Sequence, residues 1–393
     1  MNVIFTCGGT GGHINPALAV AKLLRERKPG SNILFVGADD GMETDLVPRE
    51  GFAIETLTVS NFLRSLHPKD VMHNIRAVGA IRRAFHRADE ILDSFRPDVV
   101  LGTGGYASFP ILHQAAHRHI PTALHEANAV PGLATRMVCD RVDRILVSFA
   151  ESRDQYKHAD RVIAVGMPVQ EEFVFTKRED ARRELGLGDE PLIVSAWGSL
   201  GAREMNKKIV DFMRLELNEP WRHVHATGSF GWRWMPEYVR EHGVDLARHP
   251  RITMQEYIYN MPTLMAAADV VISRAGASTL NEIAAAATPC IIVPSPNVTN
   301  NHQERNAAIL EHRGAAIVLH ERDCDGETLF QTTKALLADD DRRQAMRPCA
   351  ARCRSAARKT AFCPFWRRRL RQARNACCIT VPRFPTWTRR SGY

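Results

Sequence analysis

The sequence predicts an α/β protein with two Rossmann-like, doubly wound parallel sheets facing a cleft. Three observations point there. Apolar strand-like runs alternate with stretches of helical periodicity from Met1 to Ala164, the alternation restarts near Leu192, and glycine-rich loops follow strands directly in both halves. In such sheets ligands bind beyond the carboxyl ends of the strands, so two facing halves place the binding site between them.

The first half supplies "VIFT", "NILFVG", "DVVLGTG", "PTALHE", "RILVSF" and "RVIAVG" as strands. "VGMPV" reads as a hinge, and "EEFVFTKREDARRELGL" as a connector with one helix. The second half supplies "LIVSAWGSLGA", "RHVHATG", "ITMQEYI", "DVVISRAGAS", "PCIIVPSP" and "GAAIVLH". The expected domains are 1–165 and 166–345, followed by an aberrant tail at 346–393.

Composition narrows the function classes. A chain of 393 residues can bury two cores. No apolar run approaches the roughly 18 residues of a membrane span, and no signal peptide precedes the first strand, so a cytoplasmic location is expected. The net charge of +8 does not mark a nucleic-acid binder. Fifteen Lys and Arg residues and no acids lie between Arg342 and Tyr393, leaving 37 basic and 44 acidic residues in the rest. Cysteine is skewed the same way: Cys349, Cys353, Cys363, Cys377 and Cys378 crowd the tail. Cys7, Cys139, Cys290 and Cys324 are scattered, as in a reduced protein without a disulfide framework. The tail's composition is that of a reading-frame shift near residue 346, with little order expected; the rival reading is a basic tail for anionic lipid.

The loop after the first strand runs Gly8, Gly9, Thr10, Gly11, Gly12, His13. Glycines at a strand–helix turn allow a ligand close to unpaired N–H groups at the positive end of a helix, which suits an anion. The spacing matches neither the dinucleotide fingerprint nor the P-loop. Asp39 and Asp40, with Glu43 just beyond, sit in a Gly-flanked turn rather than where a ribose reader belongs. The competing reading is a tight packing turn; His13, able to titrate near neutrality, favours a site.

In the second half, "SRAGASTLNE" follows a strand. Gly276 opens a turn, Ala277, Ser278 and Thr279 begin a helix, and Glu282 falls where a carboxylate can accept both ribose hydroxyls. The bland alternative is a dipole partner in a helix's first turn. "WGSLGAREMN" offers Ser199 and Gly201, and "NNHQERNA" clusters amide and imidazole donors suited either to sugar hydroxyls or simply to a polar helix start.

"GGTGGH", "GTGGYAS", "HEANAVPGL", "GSLGAREMN" and "SRAGASTLNEIAAAATPCIIVP", with "NNHQERNA" beyond, occur in order over residues 1 to about 345. Together they closely resemble the MurG family of peptidoglycan glycosyltransferases, which have the GT-B fold. The resemblance implies inverting transfer of N-acetylglucosamine (GlcNAc) from UDP-GlcNAc to the C4 hydroxyl of N-acetylmuramic acid (MurNAc) in undecaprenyl-diphosphoryl-MurNAc-pentapeptide (lipid I). It requires no cofactor or metal. It implies a peripheral place on the cytoplasmic face of the inner membrane, against an anionic surface, with cell-wall synthesis proteins as possible partners and no nucleic acid.

The same resemblance implies the site. Donor contacts fall on Thr10, Gly11, Gly12, His13, Asn128, Ser199, Gly201, Tyr257, Ile258, Ala277, Ser278, Thr279, Glu282, His302 and Gln303. Tyr257 would cap the uracil, where the family often has Phe, and the Ile258 backbone would bond it. Arg274 supports the nucleotide pocket. On the acceptor side, the first loop joins Gly104, Gly105, Tyr106 and Asn128 around the lipid diphosphate. Either His13 or Glu126 could be the general base, and His125 orients its loop. Asp323-Cys324-Asp325 reads as a helix N-cap rather than a metal site. Val71, Ile75, Val78, Ile81 and Phe85 form an apolar stripe beside Lys69, Arg76, Arg82, Arg83 and Arg87, suited to a bilayer surface or to a core.

Four positions depart from the family pattern: Met167, Gln170, Trp197 and Leu200 replace an asparagine, an arginine, a glycine and a glutamine. Two rival functions remain at this level. One is another GT-B enzyme, such as a UDP-GlcNAc 2-epimerase or glycolipid synthase; the other is an inactive UDP-sugar-binding scaffold.

Overall fold

A computed structural model describes residues 1–59 and 68–347, with side chains in the helix Pro68–Phe95 described from Gly79 onward, and without the side chain of Thr299. Its first sheet contains β1 (Asn2–Thr6), β2 (Asn32–Ala38), β3 (Ala53–Leu57), β4 (Val99–Gly102), β5 (Thr122–Glu126), β6 (Arg144–Val147) and β7 (Val162–Ala164). The strand order is β3-β2-β1-β4-β5-β6-β7. The second contains β8 (Leu192–Ala196), β9 (Arg222–Ala226), β10 (Ile252–Gln255), β11 (Val270–Ser273), β12 (Cys290–Ile292) and β13 (Ala316–Val318). Its order is β10-β9-β8-β11-β12-β13. Every strand pairing in both sheets is parallel.

Twelve of these strands coincide with the apolar runs read from the sequence. β3 does not. It is an edge strand with alternating burial, so "AIETL" lacks the continuous apolar signature of a strand covered on both faces. In the inner strands successive side chains feed opposite layers. Val3 and Phe5 pack with Ile14 and Ala17 of the first helix, while Ile4 packs with Ile91, Leu92 and Ile111 on the other face. A further cluster joins the two halves: Ala127, Ala129 and Phe149, in the loops after β5 and β6, pack with Ala277, Leu280 and Leu310 from helices of the second half.

At the described end of the apolar stripe, Ile81 and Phe85 are half-buried, beside the buried Ala80, Ala84 and Ala88. The Phe85 ring stacks on His113 at 4.9 Å and meets Phe109 at 5.5 Å, and Arg87 pairs with Glu55 and Glu90. Arg82 and Arg83 are exposed. The side chains of Lys69, Val71, Ile75, Arg76 and Val78 lie outside the described residues. No helix among the described residues is long and apolar enough to cross a membrane. The expected tail also lies outside them, except at its start: Met346 is buried in the second sheet's core, and Arg347 donates to the Ala268 and Ala287 carbonyls.

Candidate active site

In each sheet the chain leaves one central strand in opposite directions, and the glycine loops sit at these switch points. β1 borders β4 in the first sheet and β8 borders β11 in the second. The loops after β1 and β4 interlock. A Cβ on Gly105 would collide with the Gly8 backbone, and Gly105 has φ +85°, so only glycine fits there. Thr103 Oγ1 donates to the His13 carbonyl at 2.6 Å.

His13 stands in the first turn of the helix Gly11–Arg27. Its Nδ1 lies 3.0 Å from the Gly8 carbonyl. An oxygen there takes a proton from Nδ1–H, which leaves the lone pair on Nε2. The ring edge faces Gly104, whose added Cβ would sit 2.7 Å from His13 Cδ2. Thr10 is exposed, Gly11 and Gly12 are half-buried, and Tyr106 stands out at the loop's rim with 42% of its surface exposed.

Glu43 is the support that the sequence reading passed over. Fully buried, it accepts from Gly9 N at 3.1 Å and Ala38 N at 2.8 Å, tying the first glycine loop to the turn after β2. Its one sequence signal is the acid placed after a Gly-flanked turn.

Glu126 ends β5, with its carboxylate saturated by its own loop. It accepts from Asn128 N at 2.9 Å, Asn128 Nδ2 at 3.2 Å, Gly132 N at 3.0 Å and Thr135 Oγ1 at 2.6 Å. Four donors tie this carboxylate to the Asn128 loop and set the loop's shape. The neighbouring His125 donates from Nε2 to the Gly166 carbonyl at 3.0 Å, joining β5 to the hinge. Burial pushes its imidazole below its usual range.

In the second half another interlock repeats the first. Gly201 has φ +81°, and a Cβ there would strike the Thr227 carbonyl. Ser229 N donates to Ser199 O at 3.0 Å, so Ser199 and Gly201 sit in a loop held from beneath. After β11, Gly276 caps the helix Ala277–Ala286, whose first residues include Ser278 and Thr279. Glu282 lies one turn further on, partly buried, and burial pushes its carboxyl up to about 7. Tyr257, half exposed, feels the charge of Glu282 once its own burial is counted, and its phenol is pushed up. Ile258 is buried beside it.

Arg274 anchors this pocket by donating to Glu321 Oε2 at 2.6 Å and to the Val293 and Pro294 carbonyls. Gln303 Oε1 accepts from Ser295 N at 2.9 Å, and His302 opens the helix His302–His312; both are partly buried. Asp325 caps the helix Gly326–Ala338 by accepting from Thr328 N, as its sequence position predicts.

The halves meet at the site. An added Cβ on Gly12 would lie 3.5 Å from Ser278 Oγ, so the first glycine loop faces the start of the helix Ala277–Ala286. Asn306, fully buried, accepts from Ala129 N at 2.8 Å and donates to Asn128 Oδ1 at 3.2 Å and Ala275 O at 3.1 Å. Sequence reading missed Asn306 because its partners lie far away in the chain. Of the departures, Trp197 and Met167 are buried in the core, whereas Leu200 and Gln170 are exposed.

Comparison with known proteins agrees with this architecture. The model of the glycosyltransferase family 28 N-terminal domain matches residues 3–147, and that of the C-terminal domain matches 193–360. A relative from Caldanaerobacter subterraneus subsp. tengcongensis is 40% identical over 88% of this chain and 94% of its own length. It is named UDP-N-acetylglucosamine--N-acetylmuramyl-(pentapeptide) pyrophosphoryl-undecaprenol N-acetylglucosamine transferase. The crystal structure of Acinetobacter baumannii MurG superposes with a TM-score of 0.69 at 27% identity, covering 92% of this chain and 98% of that one. A Listeria monocytogenes protein described as a putative UDP-N-acetylglucosamine 2-epimerase shares the fold at a TM-score of 0.63 and 14% identity, covering 97% of this chain and 99% of its own. The chain belongs to glycosyltransferase family 28, in its MurG branch.

Proposed function

We propose that this protein transfers GlcNAc from UDP-GlcNAc to the C4 hydroxyl of MurNAc in lipid I, with inversion at the anomeric carbon. The observation that carries this reading is the bridge of Asn306 to Asn128 Oδ1 and to the Ala275 carbonyl, which puts the ligand loops of the two halves side by side. A single in-line displacement between them inverts the centre.

His13 Nε2 takes the proton as the C4 oxygen bonds to the anomeric carbon and the bond to UDP breaks. The leaving diphosphate gathers negative charge at Ser199, Ser278 and Thr279 and at the start of the helix Ala277–Ala286. Glu282 accepts from the ribose, Tyr257 and Ile258 hold the uracil, and His302 and Gln303 read the GlcNAc hydroxyls. Gly104, Gly105, Tyr106 and Asn128 receive the lipid diphosphate, while Glu126 keeps the Asn128 loop in shape. Peripheral attachment to the cytoplasmic face of the membrane fits a lipid acceptor, and the exposed Arg82 and Arg83 suit an anionic surface.

Radiolabelled UDP-GlcNAc supplied with a lipid I analogue, without added metal, tests the reading. Label appearing in the lipid fraction is the expected result. Binding of UDP-GlcNAc without transfer would reduce the protein to a scaffold, and epimerised sugar nucleotide would overturn the reaction assigned.

A further inference from the structure

Beneath the donor-side interlock runs a chain of buried polar side chains that nucleotide contacts do not explain. Glu216 ends the helix Arg203–Glu216, and Asn206 stands in that helix's first turn. Between them, on the face of the sheet that this helix covers, lie Ser195 of β8 and His223 and His225 of β9. The β8–β9 register sets Ser195 opposite His225, so alternation puts His223 on the same face. Ser195, Asn206, His223 and His225 are fully buried, and Glu216 nearly so.

Their contacts run in one line. Trp221 Nε1 donates to Glu216 Oε2 at 2.7 Å, and His223 Nδ1 lies 2.6 Å from Glu216 Oε1. Ser195 Oγ lies 2.7 Å from both His223 Nε2 and His225 Nδ1. His225 Nε2 lies 3.3 Å from Asn206 Oδ1, and Asn206 Nδ2 donates to the Thr227 carbonyl at 2.9 Å. That carbonyl occupies the space beside Gly201 that a side chain would need. A Ser–His–Glu set of this kind resembles a hydrolytic triad, but with its serine and histidines wholly buried it can meet no substrate.

The donors and acceptors along the line can be assigned from its fixed end. Asn206 Nδ2 is committed to a carbonyl, so Asn206 Oδ1 accepts and His225 Nε2 carries the hydrogen. Burial, reinforced by His223, pushes His225 well below its usual range, so His225 is neutral and its Nδ1 accepts from the Ser195 hydroxyl. Ser195 Oγ must then accept from His223 Nε2–H. With that hydrogen in place, the short bond to Glu216 needs one more proton, held either on Nδ1 or on the carboxyl.

We propose that this line is a positioning relay for nucleoside diphosphate binding, complete only while the Glu216–His223 pair holds one proton beyond a carboxylate and a neutral imidazole. It fixes the Thr227 carbonyl, and through it the Gly201 turn, so that the Ser199–Gly201 loop is shaped before the ligand arrives. The inference rests on reading that loop as the diphosphate side of the donor site.

Calorimetric titration of the full chain with UDP and with uridine tests it, because uridine lacks the diphosphate and reports only the base and ribose contacts. Asn206→Ala should weaken UDP about tenfold and leave uridine within about twofold, the size of one lost hydrogen bond. Glu216→Gln reproduces the protonated carboxyl, donating to His223 Nδ1 while still accepting from Trp221, and should retain UDP affinity; Glu216→Leu should lose it. Damage by Glu216→Gln equal to that by Glu216→Leu would overturn the shared proton. Parallel losses for UDP and uridine with a lowered melting temperature would reduce the line to a structural role. A weakened Ser199→Ala beside an unaffected Asn206→Ala would overturn the relay alone. Unchanged UDP binding in both variants would instead remove the loop reading beneath it.

Discussion

Asn306 and Asn128 share a hydrogen bond of 3.2 Å across the cleft, from Asn306 Nδ2 to Asn128 Oδ1. Because the other amide proton goes to the Ala275 carbonyl, one side chain joins the loop after β5 to the turn that starts the helix Ala277–Ala286. Asn306→Asp keeps the acceptor for Ala129 N but turns an oxygen toward two oxygens. Turnover should fall about tenfold or more, for two lost donors, while UDP affinity changes less than about threefold. Steady-state kinetics beside UDP titration would separate the effects; equal losses in both would mean that Asn306 serves the donor pocket only.

The proposed bond of Glu282 to the ribose makes nucleoside binding depend on pH with a definite sign. Burial raises its carboxyl to about 7 in the free protein, and ribose hydroxyls need the ionised form as acceptor. Binding therefore expels a proton. Uridine affinity should rise as pH increases toward 7 and level off above it, by up to about tenfold per pH unit. Glu282→Gln should flatten the profile, and a wild-type profile flat from about pH 5.5 to about pH 8.5 would remove Glu282 from the ribose.

The paired interlocks should tolerate no side chain. Gly105→Ala and Gly201→Ala each add a Cβ against backbone at positive φ. Each should destabilise by about 1–3 kcal/mol or more, read as a lower denaturation midpoint. Gly30→Ala, where nothing lies within 4 Å, is the control.

How much of this was legible in the sequence follows from how far each feature reaches along the chain. Strand, glycine turn and helix start are consecutive, so the loops at Gly8–His13, Gly104–Tyr106, Ser199–Gly201 and Gly276–Thr279 announce themselves. β3 escaped because an edge strand half open to solvent has no apolar run. Glu43, Asn306 and the Glu216–His223–Ser195 line escaped because their partners are set by packing; Ala129 and Asn306 are 177 residues apart. The sequence placed Glu126 at the end of a strand but not the four donors on its carboxylate, which only the folded loop brings together.

The central claim is that His13 Nε2 accepts the acceptor's proton beside the donor loop, with Glu126 in support. The most direct measurement is kcat for GlcNAc transfer by His13→Ala, with UDP affinity determined on the same preparation. The account predicts a fall in kcat of about 100-fold or more, the usual range for a lost general base, with UDP binding little changed. Near wild-type turnover in His13→Ala would contradict it.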